Sequence, residues 1–283
     1  MAIDGMNFIH RARAGFVKGE SSVIFNFFRN LRALVERFNP TRIYFVLDGS
    51  PVIRRELFPE YKTNRKIDPQ DHDAINARDD FFRQKDVIVD LLTRAFPVSV
   101  MHHPEAEADD VIHNLIDRST RAVDWIVVSN DSDFTQLLDT FENVQVYNPM
   151  KKEYVERVDY DYVTWKSLCG DGSDNIPGIP GVGAKTAEKL ARDLEKMREF
   201  LSDEEKGQRW LENYKLIKFI DFTDLELSRV TSSNPKNDWT IVKKAFEDLN
   251  FNSLLKEKTW NKFVDTFDYL WGENIEPIEA PYV

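Results

Sequence analysis

The sequence predicts an α/β protein in which a doubly wound, mostly parallel sheet is flanked by helices. Two continuous apolar runs, IYFVL at 43–47 and WIVVS at 125–129, are typical of parallel strands covered on both faces. Residues 23–38 instead carry apolar side chains at helical spacing. Carboxylates follow both runs, at Asp48 and Asp131. In open α/β sheets ligands bind beyond the carboxyl ends of the strands, so this edge is the candidate site.

The remaining elements alternate in the same manner along the chain. A first, very short strand at 2–5 delivers Asp4 to the sheet edge, and Pro40 ends the helix at 23–38. The pattern then predicts a helical region at 68–96, strands at 98–101 and 144–147, and a helix at 160–168. From 207 to the end it is helical, with a polar interruption at 228–238.

Length and composition indicate a globular protein with about two domains. The chain has 283 residues, of which 42% are hydrophobic, enough to bury a sizeable core. Its one cysteine, Cys169, has no partner for a disulfide. The first acid stands at Asp4 and no apolar run reaches membrane-spanning length, so we expect an intracellular, cytoplasmic protein.

The stretch GDGSDNIPGIPGVGAKTAEKL at 170–190 carries the most specific pattern. Asp171 and Asp174 stand three positions apart, so a helical turn would place both on one face. The glycines that follow leave backbone N–H groups uncovered, and a helix then begins near Lys185. A glycine turn that leads into a helix N-terminus is a phosphate-binding arrangement.

This stretch closely resembles the helix–three-turn–helix of the flap endonuclease and 5′-nuclease family. The resemblance implies a PIN-like 5′-3′ exonuclease domain at 1–165, with a helical arch at about 61–96, and a helix-hairpin-helix region with C-terminal helices at 166–283. It also implies that the hairpin grips the backbone of duplex DNA, through Gly181, Gly183, Lys185, Thr186 and Lys189.

Acids at further family positions support the resemblance. Asp131 and Asp133 follow one predicted strand, and the sequence AEADD begins the helix that follows another predicted strand. Helix caps and the first turn of a helix also favour acids, but they account for only one or two at each place. The resemblance implies these metal ligands, direct or through water: Asp4, Asp48, Glu107, Asp109, Asp110, Asp131, Asp133, Asp171 and Asp174. Oxygen-only ligands suit Mg²⁺ or Mn²⁺, and so many acids fit two ions. A K⁺ ion at the hairpin is a further expectation.

The net charge of −11 does not exclude nucleic-acid binding. Setting aside the nine acids of the predicted metal site leaves a charge of −2 for the rest of the chain. Because divalent cations neutralise such a cluster, its charge does not repel DNA as the bare count suggests.

A cationic segment, FPEYKTNRK at 58–66, matches the base of the family's arch. The resemblance implies that Tyr61, Lys62 and Arg65 act near the scissile phosphate and that Lys66 contacts DNA. Arg11 and Arg13 lie in a segment without acids at 10–18, which is either a solvated loop or another DNA-contacting surface.

The resemblance implies a monomeric, free-standing nuclease of the kind that phages encode. Its expected substrates are 5′-flapped, nicked or branched duplex DNA, and RNA primers in RNA–DNA duplexes remain open. Two alternative functions remain. A non-catalytic DNA-junction binder would not need the seven acids that the α/β part contributes, which are the nine without Asp171 and Asp174. A PIN-like ribonuclease would not need a hairpin that grips duplex DNA.

Overall fold

The computed structural model describes residues 1–15, 19–65 and 68–271. The chain folds into two interleaved units. Unit 1 comprises Met1–Gly49, Ile67–Pro104 and Phe222–Val283, and unit 2 comprises Ser50–Lys66 and Glu105–Asp221. The sequence analysis predicts a single domain boundary between residues 165 and 166, and this boundary stays a prediction.

Short strands alternate with helices through the described ranges. The strands are β1 (Ala2–Asp4), β2 (Tyr44–Leu47), β3 (Ser99–His102), β4 (Trp125–Val128), β5 (Val144–Asn148), β6 (Glu153–Tyr154), β7 (Gly170–Asp171), β8 (Ile176–Pro177) and β9 (Thr231–Ser232). The helices are α1 (Gly5–Arg13), α2 (Ser22–Phe38), α3 (Val52–Leu57), α4 (His72–Ala95), α5 (Ala108–Asp117), α6 (Thr135–Thr140), α7 (Tyr162–Cys169), α8 (Ala184–Ala191), α9 (Leu194–Leu201), α10 (Glu204–Ile217), α11 (Asp224–Leu227), α12 (Trp239–Asp248), α13 (Asn252–Leu255) and α14 (Glu257–Asp268). Single 3₁₀ turns lie at Thr63–Arg65, Ser132–Phe134 and Tyr269–Trp271.

In unit 1 the strands β1, β2 and β3 are parallel, and β9 adds antiparallel to β3. The apolar run of β2 is buried as predicted, with Phe45 and Val46 fully inaccessible. Gly5 lets α1 start directly on this sheet, because a Cβ at that position would lie 2.6 Å from the carbonyl oxygen of Val46. Strand β9 lies in the segment predicted only as a polar interruption.

Aromatic packing joins the C-terminal helices to the rest of unit 1. Phe96, after α4, meets Phe28 of α2 with ring centroids 5.0 Å apart, and it meets Phe267 of α14 at 5.3 Å. Phe246 of α12 lies 5.3 Å from Phe28. All four rings are fully buried, so the C-terminal segment is part of this core.

Helix α4 forms most of the predicted arch region. Its N-cap, Asp71, accepts a hydrogen bond from the backbone N–H of Ala74 (2.9 Å). The turns from His72 to Asp80 have no buried residue, whereas Phe81 and Ile88 lie in the core. The helix is therefore half exposed and half packed.

In unit 2 the strands β4 and β5 are parallel, and β6 adds antiparallel to β5. A separate hairpin pairs Asp171 of β7 with Ile176 of β8. Helices α7, α8 and α10 pack near this hairpin through a small core that includes Leu168, Ile179 and Ala187. The predicted mostly parallel sheet with flanking helices is confirmed.

None of the helices in the described part of the chain is both long and apolar enough to cross a membrane.

Candidate active site

Two of the predicted metal-binding acids, Asp4 and Asp48, belong to unit 1. Asp4 ends β1 and pairs in register with Val46 of β2, and Asp48 follows β2 by one residue. The parallel strands therefore bring both acids to the same edge, as predicted. Asp4 also caps α1, since its carboxylate accepts a hydrogen bond from the backbone N–H of Asn7 (3.2 Å).

Four predicted metal-binding acids of unit 2 line one open cavity of about 320 Å³: Asp131, Asp133, Asp171 and Asp174. The first two arrive together because Asp131 follows β4 by three residues and accepts a hydrogen bond from the backbone N–H of Asp133 (2.9 Å). The cavity is open and lined by four acidic residues, so a cation from solvent can reach it.

The segment that carries Asp171 and Asp174 is the loop of a hairpin, and the backbone N–H of Asp174 donates to the carbonyl oxygen of Asp171 across it (3.2 Å). Ser173 donates to Asp171 Oδ1 from its backbone N–H (2.8 Å) and its hydroxyl (2.6 Å), which fixes a tight Asx turn. Gly170 has φ 75°, and a Cβ there would lie 2.3 Å from the backbone nitrogen of Gly178. The glycine and the Asx turn therefore favour a tight turn over a continuous helix here, and both acids reach the same cavity.

An ammonium group that sequence reasoning missed lies among these acids. Lys166 of α7 contacts Asp133 Oδ1 and lies 2.7 Å from Asp171 Oδ2. Burial opposes its charged form, but Asp133 and the hydrogen bonds to both carboxylates raise the pKa of Lys166 above its ordinary value. The hydroxyl of Tyr162 donates to Asp133 as well (3.0 Å).

The two carboxylates that share Lys166 are tuned in opposite directions. Burial raises the pKa of Asp133, against the opposing effect of Lys166. At Asp171 burial also acts upward, but hydrogen bonds from Lys166 and Ser173 outweigh it and lower the pKa to about 2. The Lys166 ammonium thus favours the ionised form of both carboxylates, and at Asp171 its effect, together with that of Ser173, exceeds the effect of burial.

A second cluster forms around Glu107 and Asp174. Lys62 contacts Glu107 Oε1 and lies 3.4 Å from Asp174 Oδ2. The hydroxyl of Tyr61 lies 2.8 Å from Glu107 Oε2 and 3.1 Å from Asp174 Oδ2. Tyr61 is only 2% exposed, so its ring packs inside unit 2, and its hydroxyl lies within hydrogen-bonding distance of both carboxylates.

The adjacent acids Asp109 and Asp110 have different surroundings. Burial, and after it the charge of Asp110, raises the pKa of Asp109 well above its ordinary value. Asp109 is nevertheless partly accessible. Asp110 is fully buried and forms a salt bridge with Arg54 of α3, a residue that the sequence analysis did not single out.

The donor set of unit 2 fits divalent cations. Lys62 and Lys166 each lie between two carboxylates from different parts of the chain, which shows that cations are stable among these acids. No group of three ligands is already arranged to hold an ion in the described part of the chain.

The predicted DNA-binding residues of the hairpin lie around the start of α8. Gly181 has φ 79°, which favours glycine, and Gly183 is the N-cap of the helix. These two residues are exposed, and so are Lys185, Thr186 and Lys189. A surface-exposed helix N-terminus with lysines beside it fits a phosphate group.

Of the remaining predicted cations, only Arg11 and Arg13 are described with their side chains. Arg11 and Arg13 lie in the last turn of α1, and the Arg13 guanidinium lies 5.0 Å from the ring centroid of Phe81. Arg65 ends the 3₁₀ turn at Thr63–Arg65, and its side chain lies outside the described residues, as does all of Lys66.

Family comparisons agree with this geometry. A model described as the 5'-3' exonuclease N-terminal resolvase-like domain matches residues 1–167, more than half of the chain. The chain belongs to the 5′-3′ exonuclease family. A second model, the 5'-3' exonuclease C-terminal SAM fold, matches residues 159–226.

Curated members of the 5′-3′ exonuclease family align along most of the chain. The 5'-3' exonuclease of Aquifex aeolicus is 30% identical over 90% of this chain and 93% of its own length, and that of Bacillus subtilis is 32% identical over 81% and 80%. DNA polymerase I of Bacillus subtilis is 28% identical over 83% of this chain, but only 29% of the polymerase is covered.

Solved structures share the fold. The T5 flap endonuclease, in a pseudo-enzyme–product complex with DNA and metal ions, superposes with a TM-score of 0.66 at 18% identity and covers 96% of this chain and 99% of its own. The catalytic core of Rad2 in complex with DNA substrate gives 0.52 at 17% identity, with coverage of 95% and 91%. The predicted family, fold class and enzyme class are confirmed, whereas the individual site residues stay predictions.

Proposed function

We propose that this protein is a structure-specific 5′-nuclease that hydrolyses phosphodiester bonds in 5′-flapped, nicked or branched duplex DNA. It acts both as a flap endonuclease and as a 5′→3′ exonuclease. The observation that carries the proposal is the cavity lined by Asp131, Asp133, Asp171 and Asp174, which lies in the same unit as the glycine turn before α8. RNA primers in RNA–DNA duplexes fit the same chemistry.

The cations that fit these oxygen ligands are Mg²⁺ and Mn²⁺. The predicted ligands within unit 2 are Glu107, Asp109, Asp110, Asp131, Asp133, Asp171 and Asp174, and we assign Asp4 and Asp48 of unit 1 to the same function. When bound, two such ions activate water and stabilise the leaving oxygen. A bound K⁺ ion is proposed at the hairpin turn, where backbone carbonyl groups can coordinate it.

Lys62 is assigned to the reacting phosphate. Its ammonium group is held by Glu107 and Asp174, the same carboxylates that cations would take. Once released from them, it can offset negative charge on the phosphate. Tyr61 then keeps the two carboxylates oriented through its hydroxyl, and Arg65 orients the strand.

The duplex is held by the turn and helix at Gly181, Gly183, Lys185, Thr186 and Lys189, through phosphate contacts. Such contacts carry no sequence information, so the enzyme reads the shape of its substrate and not its bases. We assign Arg11, Arg13 and Lys66 to further contacts with DNA. The protein acts as a monomer.

Cleavage of a 5′-flapped duplex tests the proposal directly. With the flap strand labelled at either end, Mg²⁺ should release a flap-length product and then shorter fragments, and a chelator should stop both. Cleavage of single-stranded RNA in preference to the flap would favour a ribonuclease. Binding without any cleavage in Mg²⁺ or Mn²⁺ would leave a junction-binding protein.

Lys185→Ala should weaken equilibrium binding to unrelated duplex sequences by a similar factor and reduce the slope of log affinity against log salt by about 1, because one phosphate contact is lost. Lys258→Ala, which removes an exposed lysine of α14 in unit 1, is the matched control and should change neither quantity. A loss that depends on base sequence would exclude the phosphate role of Lys185.

A further inference from the structure

The guanidinium of Arg54 is buried in unit 2, and each of its three nitrogens donates at least one hydrogen bond. The residue is 2% exposed, and its Nε donates to the carbonyl oxygen of Leu216 (2.9 Å). Its Nη2 donates to Asp110 Oδ1 (2.9 Å), and its Nη1 donates to Asp110 Oδ2 and to Glu107 Oε2 (3.1 Å). A buried guanidinium is stable only when its donors and its charge are matched in this manner.

Both carboxylate oxygens of Asp110 accept hydrogen bonds from the protein. The residue is 0% exposed, and both of its oxygens accept from Arg54. Oδ1 also accepts the backbone N–H of Ile220 (2.9 Å). If this carboxylate turned to a metal ion, it would leave a buried cation and a buried N–H group without their partner.

These contacts fix a chain segment as well as a side chain. Asn114 Nδ2 donates to the carbonyl oxygens of Asp110 (2.8 Å) and Ile220 (2.7 Å). Together with the Arg54–Leu216 bond, it ties the start of α5 to the end of α10 and the residues after it. The surroundings of Asp110 are therefore those of a structural ion pair.

Glu107 differs in the direction of its second oxygen. Its Oε2 lies within hydrogen-bonding distance of the Arg54 guanidinium and the Tyr61 hydroxyl, both buried parts of the fold. Its Oε1 contacts the ammonium group of Lys62, which is an exchangeable cation on a flexible side chain. One oxygen is thus fixed by the protein, and the other is presented to a cation.

We propose that Asp110 is the structural counter-ion of Arg54 and not a metal ligand, and that Arg54 is a positioning residue that fixes Glu107 for the metal ion. The proposal rests on the proposed metal-dependent function and reduces the nine predicted metal-binding acids to eight. The sequence analysis had placed Asp110 among the metal ligands and had given Arg54 no role.

The melting temperature of the protein in chelator separates a counter-ion from a ligand by sign. Asp110→Asn should lower it by roughly 5 °C or more, because the new amide N–H₂ faces the buried guanidinium. Asp109→Asn should leave it unchanged or raise it, since it removes one of several like charges and the asparagine oxygen can still accept the backbone N–H of Asp110. The double variant Arg54→Met with Asp110→Leu should melt above Asp110→Asn, because no buried charge is left unpaired.

Mn²⁺ binding, followed by the electron paramagnetic resonance signal of free Mn²⁺, gives a second readout without DNA. Folded Asp110→Asn should bind as many ions per molecule as the parent protein. Arg54→Lys keeps the charge but loses the planar fork, so Mn²⁺ affinity should fall about tenfold or more as Glu107 loses its position. Val242→Ala, a core change in α12 of unit 1, controls for lowered stability alone.

Two results would overturn the proposal: a higher melting temperature for Asp110→Asn in chelator, or the loss of one bound Mn²⁺ per molecule from that variant. If Asp110→Asn does not fold, a double variant that also fails to fold would refute the ion-pair role. Failure of the parent protein to bind Mn²⁺ would refute the proposed function instead, and the melting temperatures would still decide the role of Asp110.

Discussion

Asp131→Asn should reduce cleavage of a 5′-flapped duplex on the order of 10³-fold or more in saturating Mg²⁺, while duplex binding is retained. Asp131 lines the cavity that also contains Asp133, Asp171 and Asp174. The change removes one negative charge and one metal-binding oxygen. The phosphate contacts at α8 remain, so the substrate is still held.

The fold should tolerate this substitution, which makes the result specific. The structural hydrogen bond of Asp131 is the one it accepts from the backbone N–H of Asp133 (2.9 Å), and the amide oxygen of asparagine can accept the same bond. The melting temperature in chelator should therefore stay the same or rise slightly, because a like charge has been removed. Single-turnover cleavage, binding in Ca²⁺ and thermal melting measure these quantities separately.

Asp159→Asn is the matched control. Asp159 is an exposed acid of the same unit that pairs with Arg192, and it does not line the cavity. Its substitution should leave the cleavage rate within about twofold, as expected for a surface ion pair. If Asp131→Asn cleaved normally in Mg²⁺, the assignment of the cavity as the metal site would be wrong.

The sequence predicts those parts of the site that local patterns determine. Asp48 and Asp131 follow apolar runs, and a run of this kind in an α/β chain forms a parallel strand whose end lies at the ligand-binding edge. The glycines before α8 are equally local, because the positive φ of Gly181 follows from turn chemistry. These features needed no knowledge of long-range contacts.

What the sequence does not predict depends on side chains that meet across long separations. Arg54 and Asp110 are 56 residues apart, and no periodicity indicates that they pair. Lys166 lies on a predicted helix, but spacing does not reveal that its ammonium group folds back among Asp133 and Asp171. Like charges at a metal site attract whichever cation can reach them, and only the fold determines which one can.

Lys62→Ala should lower the single-turnover cleavage rate on the order of 10²–10³-fold, as for removal of one preorganised donor beside a charged transition state. The backbone conformation of Lys62 fixes the direction of its side chain. Its backbone has φ 57°, uncommon for a residue with a side chain, and its N–H donates to the carbonyl oxygen of Asp174 (3.0 Å). This directs the ammonium group toward Glu107 and Asp174.

Metal titration separates this role of Lys62 from simple competition with metal ions. In the structure the ammonium group occupies two carboxylates that a divalent ion would also use, so its removal should leave metal affinity unchanged or increase it. The plateau rate at saturating Mg²⁺ should nevertheless stay low, because the missing charge acts on the phosphate. Lys62→Arg, which restores a positive charge with a different shape, should recover only part of the rate.

Lys185→Ala provides the opposite pattern as the matched control for Lys62→Ala. It should weaken binding and leave the single-turnover rate at saturating enzyme unchanged, since Lys185 is assigned only to holding the duplex. Lys62→Ala should show normal binding and a slow rate on the same flapped substrate. A large loss of affinity with a normal plateau rate would make Lys62 a tether for DNA. The charge beside the reacting phosphate would then have to come from another cation, such as Lys166, which lies 2.7 Å from Asp171 Oδ2.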